Sequence, residues 1–217
     1  MTKSKSKLSL SEIAYEHIKD MILEGKIAPG DILNEGKLAD ELGMSRTPIR
    51  EALRTLSSEN WLEIKNGVGA FLKPLSTKDM EDLFEVRCLL EVRAAKTAFW
   101  EITKEEINDF EQRFRKVLKD YEEGSTWNLI DFSNLDWEFH ALLVERCQNP
   151  YIKSIMKSIN ANIKRYQRLS FESLNNLKES TLQHLNLLDL LRKCDADTFS
   201  RALQQHLEWA ETFLRRH

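Results

Sequence analysis

The fold of the N-terminal part of the chain is decided by residues 35–56, which read EGKLADELGMSRTPIREALRTL. This stretch predicts two short helices joined by a tight turn, because Gly43 offers the positive φ with which many helices end. Ser45 or Thr47 can cap the second helix, and Pro48 fits its first turn, where a missing N–H is harmless. Apolar residues then recur with helical spacing and predict one buried face, namely Ile49, Ala52, Leu53 and Leu56.

Another face of the second helix carries three arginines at intervals of four residues, Arg46, Arg50 and Arg54. Ser45 and Thr47 add hydroxyl groups at the N-terminal end of this face. Such a helix suits the major groove of DNA, where arginines and hydroxyls contact base edges and phosphates. The alternative is a solvated arginine face on an ordinary helical hairpin, since short lookalikes are common.

A β-hairpin is predicted directly after these helices. Apolar runs at 61–65 and 68–72 flank Asn66 and Gly67, and an Asn-Gly pair between two such runs is a strong hairpin signal. Three helices followed by a hairpin make a winged helix-turn-helix. Gly67 would let the backbone of the wing come close to DNA. The alternative is that the hairpin is a structural lid on the helices.

The residues from Ile22 to Leu72 closely resemble the DNA-binding domain of the GntR-type bacterial transcription regulators, and the resemblance covers about residues 10–73. Its most specific segments are APGDILNE and SRTPIREAL. The resemblance implies that the recognition helix contacts bases and phosphates and that the wing glycine enters the minor groove. Many relatives carry a DNA-contacting arginine where this chain has Gly36, and Lys37 is the candidate to substitute for it. The implied DNA-binding residues are Ser45, Arg46, Thr47, Arg50, Gly67 and Lys37.

The composition is that of a helix-rich soluble protein, with 41% hydrophobic and 31% charged residues and only 7 Gly and 4 Pro among 217 residues. We expect a cytoplasmic location without membrane contact, because the chain lacks both a long apolar run and the apolar core of a signal peptide. Its three cysteines, the last at Cys194, are widely spaced and favour reduced thiols. Residues 1–75 contain 11 Lys/Arg and 11 Asp/Glu, so any DNA contact must come from a local patch.

The chain as a whole is predicted to be mainly α, with a winged helix-turn-helix domain at 1–75 and an all-α bundle at 76–217. Capping residues mark several helix starts in the bundle, including Thr103 with Glu106, and Asn149 followed by Pro150. The tryptophans at positions 100, 127, 137 and 209 are assigned to the bundle core, and His217 to solvent. The six expected helices cover about 77–99, 103–122, 127–147, 150–171, 175–193 and 195–215.

Four polar residues of the bundle form a candidate metal site. Asp136 and His140 are four residues apart, so both project from one helix face. His184 and His206 lie 11 residues on either side of Asp195, so an antiparallel hairpin turning there places them at the same height. The four residues can converge inside the bundle as an oxygen–nitrogen metal site. The alternative is that each histidine is an ordinary core residue.

The segments LDWEFH, QHLNLLDLL and ALQQHL are similar to the all-helical ligand-binding domain of the FadR-type GntR regulators, the class called FCD. Six helices rather than seven resemble its VanR-like branch. In many members one Asp and three His at these positions hold a divalent metal, and all four are present here. Ligation without cysteine is compatible with zinc, nickel, manganese or iron.

Four protein ligands leave open positions on a six-coordinate metal, and an open, positively charged site suits a small carboxylate. Arg87 lies on an apolar helix face, where an unpaired charge is costly. It either binds the carboxylate of an effector or pairs with Glu91, and both alternatives stay open. Asn162 and Arg165 are further candidates for the same cavity.

These features predict a homodimeric transcription regulator, most simply a repressor, that binds a palindromic operator in double-stranded DNA and responds to a small organic acid. The rival hypothesis is a metal-dependent hydrolase or oxygenase with an accessory DNA-binding head. No obvious general base accompanies the four residues, which disfavours the enzyme. A third hypothesis makes the metal purely structural.

Overall fold

The computed structural model describes residues 8–65, 67–74, 76–125, 129–173, 177–193 and 195–214. The chain is divided after residue 75 into two compact units. Asn66, Trp127, Cys194 and His217, to which the sequence assigns roles, lie outside the described residues. None of the helices in these ranges is both long enough and apolar enough to cross a membrane.

The N-terminal unit is a winged helix-turn-helix. Its three strands form an antiparallel sheet in the order β1-β3-β2. The core lies between α1 and α3, where Ala14 and Ile18 of α1 face Ile49 and Leu56 of α3, all four of them buried. The elements, in chain order, are α1 (Leu10–Leu23), β1 (Ile32–Leu33), α2 (Glu35–Leu42), α3 (Arg46–Ser58), β2 (Leu62–Lys65) and β3 (Gly69–Leu72).

Local capping explains where these helices begin and end. Ser9 and Glu12 form a reciprocal capping box at the start of α1. The Asn34 side chain caps α2 by accepting hydrogen bonds from the backbone N–H groups of Gly36 and Lys37. Gly43 ends α2 with φ of 61°, the left-handed conformation that glycine adopts without steric cost.

The wing turn is one residue longer than the sequence predicts. Lys65 pairs with Gly69, so the turn contains residues 66–68, and Val68, expected in the second strand, is 63% exposed at the tip. The N–H of Val68 donates to the carbonyl of Lys65 at 3.0 Å and closes the turn. The turn is longer because Gly67 and Gly69 both adopt positive φ, 76° and 148°, which bends the backbone at two points.

The C-terminal unit is a bundle of six helices within the described residues. The central helix α4 packs against α6, α7 and α9, while α5 packs against α8. The pairs α6–α7 and α8–α9 also pack against each other, so the inner faces of α4, α6, α8 and α9 come together. The helices are α4 (Thr77–Ala98), α5 (Lys104–Glu122), α6 (Leu129–Arg146), α7 (Pro150–Ser173), α8 (Leu177–Lys193) and α9 (Ala196–Leu214).

Aromatic and aliphatic side chains fill the bundle interior, with Phe114, Phe132, Phe139 and Phe199 fully buried. The assignment of Trp100 to the core is wrong, because this residue follows the end of α4 and is 74% exposed. The inward position is taken by its neighbour Phe99, whose ring lies 6.0 Å from that of Phe199. The tryptophans at 137 and 209 are half-buried rather than central.

Candidate metal centre and nucleic-acid interface

The structure brings the four predicted metal-binding residues together inside the bundle. Asp136 and His140 come from α6, His184 from α8 and His206 from α9, and all four are buried. Each offers one ligand atom, and these atoms all lie within 4.8 Å of one another. Ligand atoms around a metal with bonds of about 2.1 Å are at most about 4.2 Å apart, so a contraction of a few tenths of an ångström suffices.

Each histidine is held by a hydrogen bond at Nδ1, which fixes which nitrogen faces the centre. His140 Nδ1 lies 2.7 Å from Glu91 Oε2, and His184 Nδ1 lies 2.7 Å from the carbonyl oxygen of Ser180. His206 Nδ1 lies 2.7 Å from the side-chain oxygen of Gln183. All three partners are acceptors, so each Nδ1 carries the proton and each Nε2 presents a lone pair to the centre.

The buried nitrogen of His184 supports a missing ligand at this point. Its Nε2 lies 3.3 Å from Asp136 Oδ1 but without hydrogen-bond geometry, so this nitrogen is buried without a hydrogen-bond partner. A buried polar atom of this kind is costly unless something satisfies it. One carboxylate and three imidazoles form a donor set that fits a divalent transition metal.

Burial keeps two of these histidines neutral. It lowers the pKa of His184 to about 4, with the nearby His140 and Arg87 acting in the same direction and Asp136 opposing them. Burial also holds the pKa of His206 well below its ordinary value. A metal-binding histidine must be unprotonated at its ligating nitrogen, and both side chains are in that state near neutral pH.

Arg87 and Glu91 form a buried ion pair beside the metal-binding residues. Arg87 Nε donates to Glu91 Oε1 at 2.7 Å, and both side chains are almost completely inaccessible to solvent. Burial alone would raise the pKa of Glu91, but Arg87 and His140 hold it at about 2, so the carboxylate is ionised. The Nη2 atom of Arg87 is buried without a hydrogen-bond partner. Pairing with Glu91 therefore leaves one guanidinium nitrogen of Arg87 available.

A cavity of about 330 Å³ lies between α6 and α7, next to the metal-binding residues. Its inner wall includes His140 and Glu91, and its other residues are Trp137, Ala141, Val144, Glu145, Lys153, Met156, Lys157 and Asn160. Asn162 and Arg165, both on α7, are not among these lining residues. Arg165 is buried and Asn162 half-buried.

The N-terminal unit carries a basic cleft of about 490 Å³ between α3, the start of α2 and the wing. Arg46 and Arg50 line it together with Arg54, while Lys65 and Gly67 line it from the wing. The cleft brings cationic side chains of the recognition helix and the wing backbone to one surface. This is the arrangement that phosphate and base contacts require.

The other predicted DNA-binding residues surround this cleft without lining it. Ser45 is the exposed N-cap residue of α3, and its hydroxyl makes no capping hydrogen bond. Thr47 and Lys37 are exposed. A Cβ atom at Gly36 would lie 3.5 Å from Nη2 of Arg46, so the Arg46 guanidinium occupies the space next to this glycine.

Glu35 holds one of the cleft arginines in place. Arg50 donates from Nη2 to Glu35 Oε2 at 2.7 Å and from Nε to Oε1 at 3.1 Å. The hydrogen bond from Arg50 lowers the pKa of Glu35. The contact is half-exposed, so it orients Arg50 but adds little to stability.

Sequence patterns did not reveal several residues that shape these sites. Glu91 was visible only as a possible partner of Arg87 four residues away. Gln183, Ser180 and Glu35 carried no signal at all, because their contacts depend on how helices meet rather than on local spacing.

Comparison with known proteins identifies both units. Residues 10–72 match the model of the bacterial regulatory proteins of the gntR family, and residues 82–208 match the FCD domain. The Nta operon transcriptional regulator of Aminobacter aminovorans is 31% identical over 180 residues, which cover 83% of this chain and 82% of that protein. The HTH-type transcriptional repressor RspR of Escherichia coli is 27% identical over 194 residues, which cover 89% of this chain and 84% of that protein.

Among solved structures, E. coli McbR/YncC matches with a TM-score of 0.79 and 21% identity, covering 97% of this chain and 99% of that one. At this identity the likeness shows the fold alone. The curated relatives named above are transcription regulators, which supports regulation over catalysis. The chain therefore belongs to the GntR family of bacterial transcription regulators, with the DNA-binding domain of that family followed by an FCD domain.

Proposed function

We propose that this protein is a homodimeric repressor that is released from its operator by a small carboxylate bound at a metal centre in the bundle. The observation that carries the proposal is the buried set of Asp136, His140, His184 and His206, with every histidine Nδ1 already bonded and every Nε2 turned to one point. Such preorganisation has little purpose in a hydrophobic core, where apolar residues of similar size would pack without polar cost.

These four residues would hold one divalent ion, with zinc, nickel, manganese and iron as the candidates. When bound, the metal supplies positive charge and open coordination positions that can accept an oxygen ligand. Asp136 contributes the only negative charge among the four ligands. The charges of Arg87 and Glu91 cancel each other, so a loaded centre keeps a net charge of about +1 and attracts a small anion.

Three further residues support a carboxylate as the effector. Arg87 has one buried guanidinium nitrogen without a hydrogen-bond partner, which can donate to a carboxylate oxygen. Asn162 and Arg165, on α7, are proposed as additional contacts. The cavity of about 330 Å³ beside His140 is large enough for a small organic acid, and Lys153 and Lys157 add positive charge to its lining.

At the other end of the chain, the basic cleft would contact double-stranded DNA. Arg46 and Arg50 are proposed to contact bases and phosphates, and Gly67 to bring the wing backbone to the minor groove. Because Arg46 occupies the space beside Gly36, this arginine, rather than Lys37 alone, replaces the arginine that relatives carry there. Ser45, Thr47 and Lys37 complete the surface. Two copies of the unit would match a palindrome, since a two-fold dimer reads a two-fold site.

The proposal is tested by fluorescence anisotropy on a DNA duplex selected from a random-sequence library by the metal-loaded protein. A panel of small mono- and dicarboxylates is titrated into the protein–DNA complex, with His184→Ala/His206→Ala as the control. We expect at least one acid to release DNA from wild-type protein and none to release it from the double variant.

Equal release from both proteins would contradict the proposed role of the metal centre. If removal of metal by a chelator lowers the melting temperature while no acid changes DNA binding, the metal is structural. Both results would refute the proposal.

A further inference from the structure

Glu91 occupies a position that connects the metal centre to Arg87. It lies on α4, is completely buried and uses its two carboxylate oxygens on different partners. Oε1 accepts from Arg87 Nε at 2.7 Å, and Oε2 accepts from His140 Nδ1 at 2.7 Å. One carboxylate is thus shared between a metal-binding histidine and the arginine proposed to bind the effector.

The other two histidines lack such a connection. His184 is held by the backbone carbonyl of Ser180 and His206 by the amide oxygen of Gln183, both of them neutral acceptors. Only His140 donates to a charged group. A charged acceptor forms a stronger hydrogen bond than a neutral one, and makes the imidazole a better metal ligand.

We infer that Glu91 is a positioning residue that couples metal binding at His140 to anion binding at Arg87, so that each favours the other. The inference rests on the proposed function, because it assumes that the centre binds a metal and that Arg87 meets an anion. It adds a direction and a carrier to the coupling between the two ligands.

The direction follows from the competition of two donors for one carboxylate. When the Nε2 of His140 ligates a cation, its Nδ1–H becomes a stronger donor and draws the charge of Glu91 toward the histidine. Arg87 is then less fully neutralised and binds an anion more tightly. Conversely, an anion at Arg87 weakens the Arg87–Glu91 bond, which strengthens the bond from His140 to Glu91 and makes the ring a better ligand. Linkage requires the two effects to be equal.

The test measures the dissociation constant of zinc by competition with a chromogenic chelator, with and without saturating acetate as the carboxylate probe. In wild-type protein, acetate should tighten zinc binding by about 5-fold or more, within the usual range of coupling between sites. In Glu91→Gln, zinc binding should weaken by about 10- to 100-fold, as for other residues that orient metal ligands. The effect of acetate on this variant should largely disappear.

Gln183→Leu is the matched control, because Gln183 holds His206 as Glu91 holds His140 but has no printed contact with Arg87. This variant should also bind zinc more weakly, yet keep the wild-type response to acetate. A Glu91→Gln protein that keeps the full acetate effect would overturn the inference. Loss of the acetate effect in Gln183→Leu to the same degree would overturn it as well, since any loosened histidine would then suffice.

Arg87→Met provides a second route if Glu91→Gln does not fold, since an uncompensated buried Arg87 is destabilising. Without Arg87, the charge of Glu91 acts on His140 alone, and zinc should bind more tightly than to wild-type protein in the absence of acetate. Unchanged or weaker zinc binding would overturn the inference. Failure of wild-type protein itself to bind zinc is a different result, which would refute the proposed function and the inference with it.

Discussion

Replacement of Arg46 by Ala should weaken operator binding strongly while leaving the protein folded. The side chain is exposed and makes no ion pair with the residues that the structure describes, so its loss should change the free energy of unfolding by less than about 0.5 kcal/mol. If Arg46 makes one bidentate base contact, its removal costs about 1–3 kcal/mol of binding free energy, or about 5- to 150-fold in Kd. A phosphate contact would instead lower the salt dependence of binding by about one ion.

The assay is fluorescence anisotropy with the selected duplex at several salt concentrations, together with a thermal melt of each protein. Arg115→Ala is the control, because Arg115 is a similarly exposed arginine in the bundle and pairs only with Glu111 among the described residues. The control should bind DNA as wild type does. A change in Kd of less than about twofold for Arg46→Ala would refute the placement of Arg46 at the DNA surface.

Three further outcomes are expected. Glu35→Gln should tighten DNA binding by up to about fivefold, because Arg50 no longer has to leave an exposed ion pair worth at most about 1 kcal/mol; weaker binding in the same anisotropy assay would mean that Glu35 holds Arg50 in its DNA-contacting position. Gly67→Ala should lower stability by about 1 kcal/mol, because an L-residue is strained at φ of 76°, and should weaken DNA binding if the wing backbone approaches a groove; a melt and a titration unlike those would count against the wing contact. Zinc at 100 times its Kd should stabilise wild-type protein by about 2.7 kcal/mol, a rise of about 5–10 °C in Tm by calorimetry, and should leave His184→Ala/His206→Ala unchanged; an equal rise in both would place the zinc elsewhere.

Much of the fold was predictable because its signals are local. The capping boxes at Ser9 and Thr103 and the left-handed Gly43 depend on residues only a few positions apart, and each appears in the structure as the sequence predicts. The close approach of His184 and His206 was predictable for the same reason, since equal distances from one turn place two residues at one height. Their ring centres are 4.5 Å apart.

What the sequence did not reveal depends on how the elements are rotated and joined. The spacing of Arg87 and Glu91 predicts a pair on one helix, but not that the second oxygen of Glu91 meets His140 across the α4–α6 contact. The extra turn residue Val68 reflects backbone angles at two glycines, and a pairing register is not encoded in an apolar run. Trp100 is exposed because α4 ends one residue before the pattern of buried positions would include it.

The metal content of the purified protein tests the central claim most directly. Elemental mass spectrometry on wild type and on His184→Ala/His206→Ala, purified side by side without added metal or chelator, should find about one transition metal per chain in the first and none in the second. Absence of metal from wild-type protein, or equal metal in both, would contradict a centre built from Asp136, His140, His184 and His206.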